Sequence, residues 1–389
     1  MTTTLQVQPL RVGIVGLGWM GQVHARAYAR LRQNYLDTPR QPQLVAVADS
    51  ATDGRLDQAV RAYGFSDVHT DWRELVARDD IDVVSVTGPN FIHREVGIAV
   101  AESGKHLWIE KPAGRNAAET RDIARAVESA GVQSAAGFNY RNAPAVELAR
   151  DLIAEGRLGR IEHVAIRMLA DYAAHPEGAL TWRYQNAWAG SGVLGDLVSH
   201  GVDLGRYVVG DVAELICDTA IFIPERAQSG GATFAHTARG TGALLPVENE
   251  DYVSALFRYA NGARGVLESS RVAVGEQCTY GIEVHGERGA LSWDFRRMGE
   301  LQVCLDQDFQ NASYATRYVG PGDGELGSFQ PGSGIAMSYD DLKVIEAHRL
   351  VSSISTGVAQ GATIADAAIA AEMVDAMARS AQERRWVSV

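Results

Sequence analysis

One hexapeptide, Gly16-Leu17-Gly18-Trp19-Met20-Gly21, restricts this 389-residue chain more than any other stretch of it. It fits G-x-G-x-x-G, follows the apolar run from Arg11 to Val15 and opens a helical pattern over 21–33. That setting is what gives the motif meaning. Gly16 permits a tight turn, Gly18 lets the main chain approach a pyrophosphate, and Gly21 lets the helix pack close to the strand. The free N–H groups and partial positive charge at the helix N-terminus then hold the anion.

The first 150 residues continue in the same rhythm. LVAVAD (Leu44 to Asp49), VVSVT (Val83 to Thr87), HLWIE (His106 to Glu110) and VQSAAGF (Val132 to Phe138) are short apolar runs. Helical patterns over 52–63, 71–78, 92–104 and 116–130 separate them. Short buried strands alternating with helices predict an α/β fold, a doubly wound parallel Rossmann sheet over 1–150. RQNYLDTPRQPQ (Arg32 to Gln43) holds Pro39 and Pro42 and reads as an inserted arm before the second strand.

After EGRLGR (Glu155 to Arg160), which reads as a linker, the pattern turns to alternating β segments. Asn261-Gly262 marks one hairpin and Gly286 to Gly289 another. A second domain over 151–389, α+β with a largely antiparallel sheet, is expected. Two long loops, Pro224 to Glu250 and Gly320 to Gly334, interrupt it. Helical patterns over 338–356 and 363–383 close the chain, and the final helices are expected to pack back on the first domain.

Charge and cysteine usage exclude several function classes. Thirty-six cationic against 48 acidic residues give a net charge of −12, with no basic run, so no nucleic-acid partner is expected. MTTTLQVQPLRVGIVG has no charged region followed by a long apolar one, so no signal peptide is expected, and no apolar run nears the ~18 residues of a membrane span. Three widely spaced cysteines, Cys217, Cys278 and Cys304, give neither a disulfide framework nor a metal-ligand pattern and point to the cytoplasm.

Asp49 ends the second strand, where a carboxylate accepts hydrogen bonds from the ribose hydroxyls of adenosine and repels a 2′-phosphate. This favours NAD over NADP, although Arg55 lies within reach of the same corner. Thr87-Gly88-Pro89-Asn90 follows a strand edge and lines the nicotinamide side, and His93 opens the next helix. Glu110-Lys111-Pro112 follows HLWI. A strand-end lysine is ordinarily a surface residue, but lysine stands at only three positions here, 105, 111 and 343, and Lys111 falls at the carboxyl end of a parallel strand, where such sheets bind ligands. In GSGVLGDLVSHGVDLGRYVVG (Gly190 to Gly210), Asp196, His200 and Asp203 are spaced i, i+4, i+7. At 3.6 residues per turn they share an arc of about 60°. The other faces are apolar, as in a buried helix, so the polar stripe needs partners. His200 suits removal of an alcohol proton, Asp196 orients its ring or bonds a neighbouring hydroxyl, and Asp203 anchors another. No third ligand of clear spacing supports zinc, so no metal is expected.

GLGWMG, Asp49, TGPNFIH, GKHLWIEKP and GVLGDLVSHGVDL together resemble the Gfo/Idh/MocA oxidoreductase family over about residues 10 to 385. FNYRNAPAV, TWRYQ, IPERAQSGG and VIEAHRL look like its levoglucosan-dehydrogenase branch. The resemblance implies NAD bound by the first domain, with cofactor contacts from Gly16, Leu17, Gly18, Trp19, Met20, Gly21, Asp49, Ser50, Thr87, Gly88, Pro89, Asn90, His93, Glu110, Lys111 and Asn139. It implies catalytic roles for Lys111, Asp196 and His200. Asp203, Tyr140, Trp182 and Arg183 fall on the substrate side. An open-faced second sheet used for homodimers or homotetramers is also implied, with a small neutral carbohydrate or cyclitol as substrate. Gly88 departs from the T-P-N of many members, and the arm before Asp49 is long for inositol dehydrogenases. An NAD-dependent polyol dehydrogenase leads; a redox-neutral glycoside-cleaving enzyme with resident NAD and a non-catalytic sugar sensor are the alternatives.

Overall fold

The computed structural model describes residues 8–51, 53–228, 239–305 and 308–389. The beginning of the N-terminal reading above, Thr52 of the second helical pattern and Ser229 to Gly231 of IPERAQSGG lie outside them. Two compact units form. The first comprises the described residues up to Gly114 together with Ala118–Asn142 and Met337–Ala368; the second comprises Arg115–Ala117, Ala143–Ala336 and Ile369–Val389. Glu155 to Arg160 therefore falls inside the second unit.

The first unit carries strands β1 (Gln8–Val15), β2 (Arg40–Ala48), β3 (Asp67–His69), β4 (Val83–Val86), β5 (His106–Ile109) and β6 (Ser134–Ala136). All pair in parallel, in the order β3-β2-β1-β4-β5-β6, so chain direction across the sheet reverses at β1 and β4. Every residue of β4 and β6 is buried, as strands covered on both faces must be. Helices α1 (Trp19–Asn34), α2 (Arg55–Tyr63), α3 (Trp72–Val76), α4 (Asn90–Glu102) and α5 (Ala117–Ala130) follow the successive strands. The short β3 is an element the sequence reading missed.

The inserted arm is smaller than expected. Helix α1 runs on to Asn34, and β2 begins at Arg40 with Pro42 inside it, opposite Leu10 of β1. Proline is tolerated because β3 reaches only Ala46, Val47 and Ala48, which leaves β2 an edge at Pro42.

The second unit begins with α6 (Pro144–Ala154) and β7 (Ile161–Leu169), followed by α7 (Asn186–Ala189) and α8 (Ser199–Val209). Then come β8 (Val212–Ala220), β9 (Glu225–Ala227), β10 (Leu244–Pro246), β11 (Tyr252–Tyr259), β12 (Arg264–Ser270), β13 (Thr279–Gly286), β14 (Gly289–Asp294), β15 (Glu300–Leu305) and β16 (Ala315–Tyr318). Nine strands form one sheet in the order β16-β15-β14-β13-β7-β12-β11-β8-β17, where β17 is Val387–Ser388. Only β7 and β12 pair in parallel. Both expected hairpins form, β11–β12 around Asn261-Gly262 and β13–β14 around Gly286–Gly289. Pro224 to Glu250 is not wholly irregular: β9 and β10 pair within it.

Alternate residues of β7, β11, β12 and β13 are buried, and α8 lies on that buried face. Two glycines allow the approach: a Cβ on Gly201 would sit 3.0 Å from Leu267, and one on Gly205 2.7 Å from Ile166. Helix α9 (Tyr339–Thr356) belongs to the first unit, and α10 (Ile364–Glu383) divides between the units after Ala368. Ser338 and Asp341 cap α9 reciprocally. Arg26–Asp340 and Arg30–Asp341 ion pairs fasten it to α1.

Candidate active site

The loop Gly16 to Gly21 joins β1 to α1. Gly16 has φ +89°, and a Cβ there would lie 2.5 Å from Gly88 N; at Gly21 a Cβ would lie 2.1 Å from Gly16 O. A Cβ on Gly18 would meet nothing within 4 Å, which leaves its main chain open to a ligand. Thr87 Oγ1 donates to Gly16 O at 2.6 Å and ties the β4 end to this loop. Trp19 is half-exposed and stacks on Tyr339 of α9, centroids 5.3 Å apart. Met20 Sδ lies 3.7 Å from the Tyr339 hydroxyl.

Asp49 stands where expected. Its Oδ2 accepts from Leu17 N at 2.6 Å and its Oδ1 from Ala51 N at 2.8 Å. A carboxylate offers about four acceptor positions, so capacity for ribose hydroxyls remains. Arg55 Nη1 is 3.6 Å from Asp49 Oδ2, while its firmer partner is Asp53. Ser50 beside it is exposed.

His93 is buried, with Nδ1 2.9 Å from Pro112 O and Nε2 2.8 Å from Gly88 O. Both ring nitrogens are occupied by main-chain oxygens, so this histidine fastens the Gly88 loop to the turn after Lys111. Burial holds its pKa below the ordinary value despite those two acceptors. Pro89 caps α4 and Asn90 is its first residue. Lys111 lies two residues past β5, before a cis peptide to Pro112. Glu110 is buried, and its Oε2 accepts from Lys111 N at 3.3 Å. Tyr140 is buried in the same unit. Asn139 is wholly buried, and neither its amide oxygen nor its nitrogen has a partner among the described residues. An unsatisfied buried amide costs about 1–3 kcal/mol; a bound polar group relieves it. The open main chain at Gly18, the acceptor at Asp49 and this amide fit a dinucleotide.

In the second unit, Asp196 sits not in a regular α-helix but in a π-turn, Leu194–Val198, that leads into α8. The 60° arc assumed one continuous 3.6-residue helix; the wider turn shifts Asp196 in phase against His200 and Asp203, which α8 carries. Such turns recur at functional sites. The hydroxyl of Tyr172, which the sequence reading missed, donates to Asp196 Oδ2. Burial, with the Asp196 charge beside it, pushes the Tyr172 pKa well up, so it stays a donor. His200 and Asp203 are both buried.

One missed run, Glu248 to Asp251, braces the segments around that helix. Glu248 Oε2 accepts from Asn186 N at 2.7 Å, and Asn249 Nδ2 donates to Arg183 O at 2.9 Å. Glu250 Oε1 accepts from Gly192 N at 2.8 Å and Leu194 N at 2.9 Å, capping the π-turn. Asp251 pairs with Arg271 at 2.8 Å. Next to Trp182 and Arg183, the Tyr184 ring lies between two guanidiniums, Arg226 at 4.5 Å and Arg271 at 4.6 Å. Arg183 itself stacks on Trp182 at 4.4 Å. The only outward signal of these braces was a dense polar run before an alternating strand.

The chain matches two family models: the oxidoreductase family, NAD-binding Rossmann fold, over residues 10–138, and the GFO/IDH/MocA C-terminal domain over 146–292. It is 36% identical to levoglucosan dehydrogenase of Pseudarthrobacter phenanthrenivorans over 386 residues, covering 98% of this chain and 99% of that one. Inositol 2-dehydrogenase of Rhizobium meliloti is 25% identical, over 98% and 99% of the two chains. Among solved structures, a levoglucosan dehydrogenase in complex with NADH and levoglucosan superposes with a TM-score of 0.91 at 34% identity, over 98% of this chain and all of that one. The protein is an NAD-binding oxidoreductase and belongs to the Gfo/Idh/MocA family.

Proposed function

We propose that this enzyme oxidises a secondary hydroxyl of a small neutral polyol: a sugar, an anhydrosugar such as levoglucosan, or a cyclitol. The observation that carries the reading is that Lys111, Asp196 and His200 all occur in the one chain, each in a setting suited to its role. Lys111 follows the carboxyl end of β5, which is paired on both sides, while a capped π-turn and a buried helix carry the acid and the histidine. NAD, when bound, supplies the acceptor for the hydride. In this reading Lys111 hydrogen-bonds the reacting hydroxyl and His200 takes its proton. Asp196, with Oδ2 held by Tyr172, orients the imidazole, and Asp203 anchors a second hydroxyl. Gly16 to Gly21, Asp49, Ser50, Thr87 to Asn90, Glu110 and Asn139 serve the cofactor; Tyr140, Trp182 and Arg183 serve the substrate. The relatives' names support levoglucosan ahead of the inositols.

The test is absorbance at the NADH band with NAD⁺ and a panel of levoglucosan, inositols, glucose, xylose and aryl glucosides. Sustained NADH growth with one polyol is expected. Release of an aglycone without NADH would replace this reading with redox-neutral glycoside cleavage.

We assign the open face of the large sheet to homo-oligomer formation. Leu256 and Val266 are neighbours across β11 and β12 and both are exposed there; with Ile216 and Arg384 they line a depression of about 450 Å³. A particle mass of two or four chains is the expected result. No helix among the described residues is long and apolar enough to cross a membrane. Three unpaired cysteines support a reducing cytoplasm.

A further inference from the structure

The second lysine of interest is the one that no surface argument explains. Lys343 is wholly buried on α9, with Nζ 2.5 Å from Glu110 Oε1 and 3.0 Å from Glu346 Oε1. His24 on α1 brings Nε2 to 3.0 Å from the same Glu110 oxygen, and its ring stacks on Trp108 at 3.6 Å. Trp108 Nε1 donates to Glu346 Oε1 at 2.6 Å. The other Glu110 oxygen faces the main-chain N–H of Lys111. Gly137 keeps room for it, since a Cβ there would lie 2.5 Å from Glu110 Oε2. The cluster thus joins the helix that starts at the phosphate loop, the end of β5, and α9, and through Glu110 it reaches the main chain of Lys111.

Stability alone is a weak reason for such a cluster, because well-packed apolar replacements of buried ion pairs are often neutral or stabilising. We infer that Lys343 is a positioning residue for Lys111, acting through Glu110; the inference rests on the role proposed above for Lys111. With Lys343 present, Glu110 stays ionised, one oxygen held by Lys343 and His24 and the other turned to Lys111 N. Without it, Glu110 becomes a buried carboxylate lacking its cation and takes up a proton, and the turn carrying Lys111 loses a charged acceptor. The titratable groups that face Glu110 are Lys343 and Glu346 on α9, His24 on α1 and His93 on α4, while Tyr28 of α1 faces Glu346.

The test compares the wild type with Lys343→Met, Lys343→Met/Glu110→Gln and Glu346→Gln. The readouts are kcat and KM for the oxidised polyol, and the 13C NMR signal of Lys111 in reductively methylated protein, identified by its loss in Lys111→Met. Lys343→Met should lower kcat by roughly 10- to 100-fold, the scale of a mispositioned proton-transfer group, with KM within about three-fold, and should shift the Lys111 signal and its titration. The double variant should stay within about three-fold of the single one, because the protonated Glu110 of the single variant is already as neutral as the amide, and that non-additivity marks coupling. Unchanged kcat and an unmoved Lys111 signal in Lys343→Met, or a folded double variant that differs from the single by more than about three-fold, overturn the inference. If Lys343→Met does not fold, the double variant, which also lacks the charged acceptor, decides on its own Lys111 signal: displaced supports the inference, and near the wild-type position overturns it. If neither folds, Glu346→Gln decides, since it leaves Lys343 paired with Glu110: an unshifted Lys111 titration supports the inference and a shifted one overturns it. A wild type that oxidises no polyol defeats the polyol reading alone, since the Lys111 signal still decides the role of Lys343.

Discussion

The phenol of Tyr172 donates to Oδ2 of Asp196 across 24 residues of sequence, from the segment after β7 into the π-turn before α8. A hydrogen bond to a charged group is worth about 1.5–3 kcal/mol. If that is expressed when Asp196 supports an imidazolium on His200, Tyr172→Phe lowers kcat about ten-fold and leaves NADH affinity unchanged. Steady-state kinetics with the oxidised polyol checks this; a wild-type kcat would show that Tyr172 only packs the loop.

Lys111→Met should cost roughly 10²–10⁴ in kcat/KM, the usual contribution of a general acid–base group. Fluorescence titration should find the NADH dissociation constant within a few-fold of wild type, because the glycine loop and Asp49 are untouched. Near-normal turnover in this variant would remove Lys111 from the mechanism.

What could be read from the sequence was what local chemistry enforces. Gly16 and Gly21 are demanded by a positive φ and by a 2.1 Å clash, and such demands show in the residue type itself. Asp49 and Lys111 were legible because strand ends in a parallel sheet are predictable from short apolar runs. The π-turn was not, since one wider turn leaves no mark on a polar-apolar pattern. Pro42 misled because the edge that tolerates it depends on how short β3 is. Nothing in the sequence marks Lys343 as buried, because its partner Glu110 is 233 residues away. Glu250 and Tyr172 likewise matter only through bonds that folding creates.

Asp49→Ser should raise the preference for NADP over NAD at least ten-fold. A carboxylate beside a dianionic 2′-phosphate costs a few kcal/mol at an effective dielectric near 20, and Arg55, now 3.6 Å from Asp49, becomes available to the phosphate. NAD affinity should fall as well, since Leu17 N loses its acceptor. Binding titrations with both cofactors test this; an unchanged ratio would place the adenosine ribose elsewhere.

Glu250→Ala strands the N–H groups of Gly192 and Leu194 at a buried helix start, where each unmet donor costs about 1–3 kcal/mol. Both donors use Oε1, so Glu250→Gln keeps their acceptor, loses only its charge, and should cost clearly less. Urea unfolding gives both numbers. Equal stability of all three proteins would mean that the π-turn needs no cap.

Stability against pH gives the most direct view of the buried cluster. Burial pushes Glu346 up to about 7 although Lys343 pulls it down, against 4.5 in the unfolded chain. Between those values the folded state holds the extra proton, so this group makes stability fall as pH rises from 4.5 to 7. That difference corresponds to about 3 kcal/mol. His24, lowered to about 4 by burial, acts in the opposite direction between 4 and 6.5. That contribution is common to the wild type and Glu346→Gln and cancels in their difference. The stability of Glu346→Gln relative to wild type should therefore climb by about 3 kcal/mol from pH 4.5 to 7 and level off above it. Urea unfolding at pH 5, 6, 7 and 8 measures the climb. Parallel curves would mean that Glu346 is ionised throughout, so that Lys343 neutralises two carboxylates rather than sharing a proton with one.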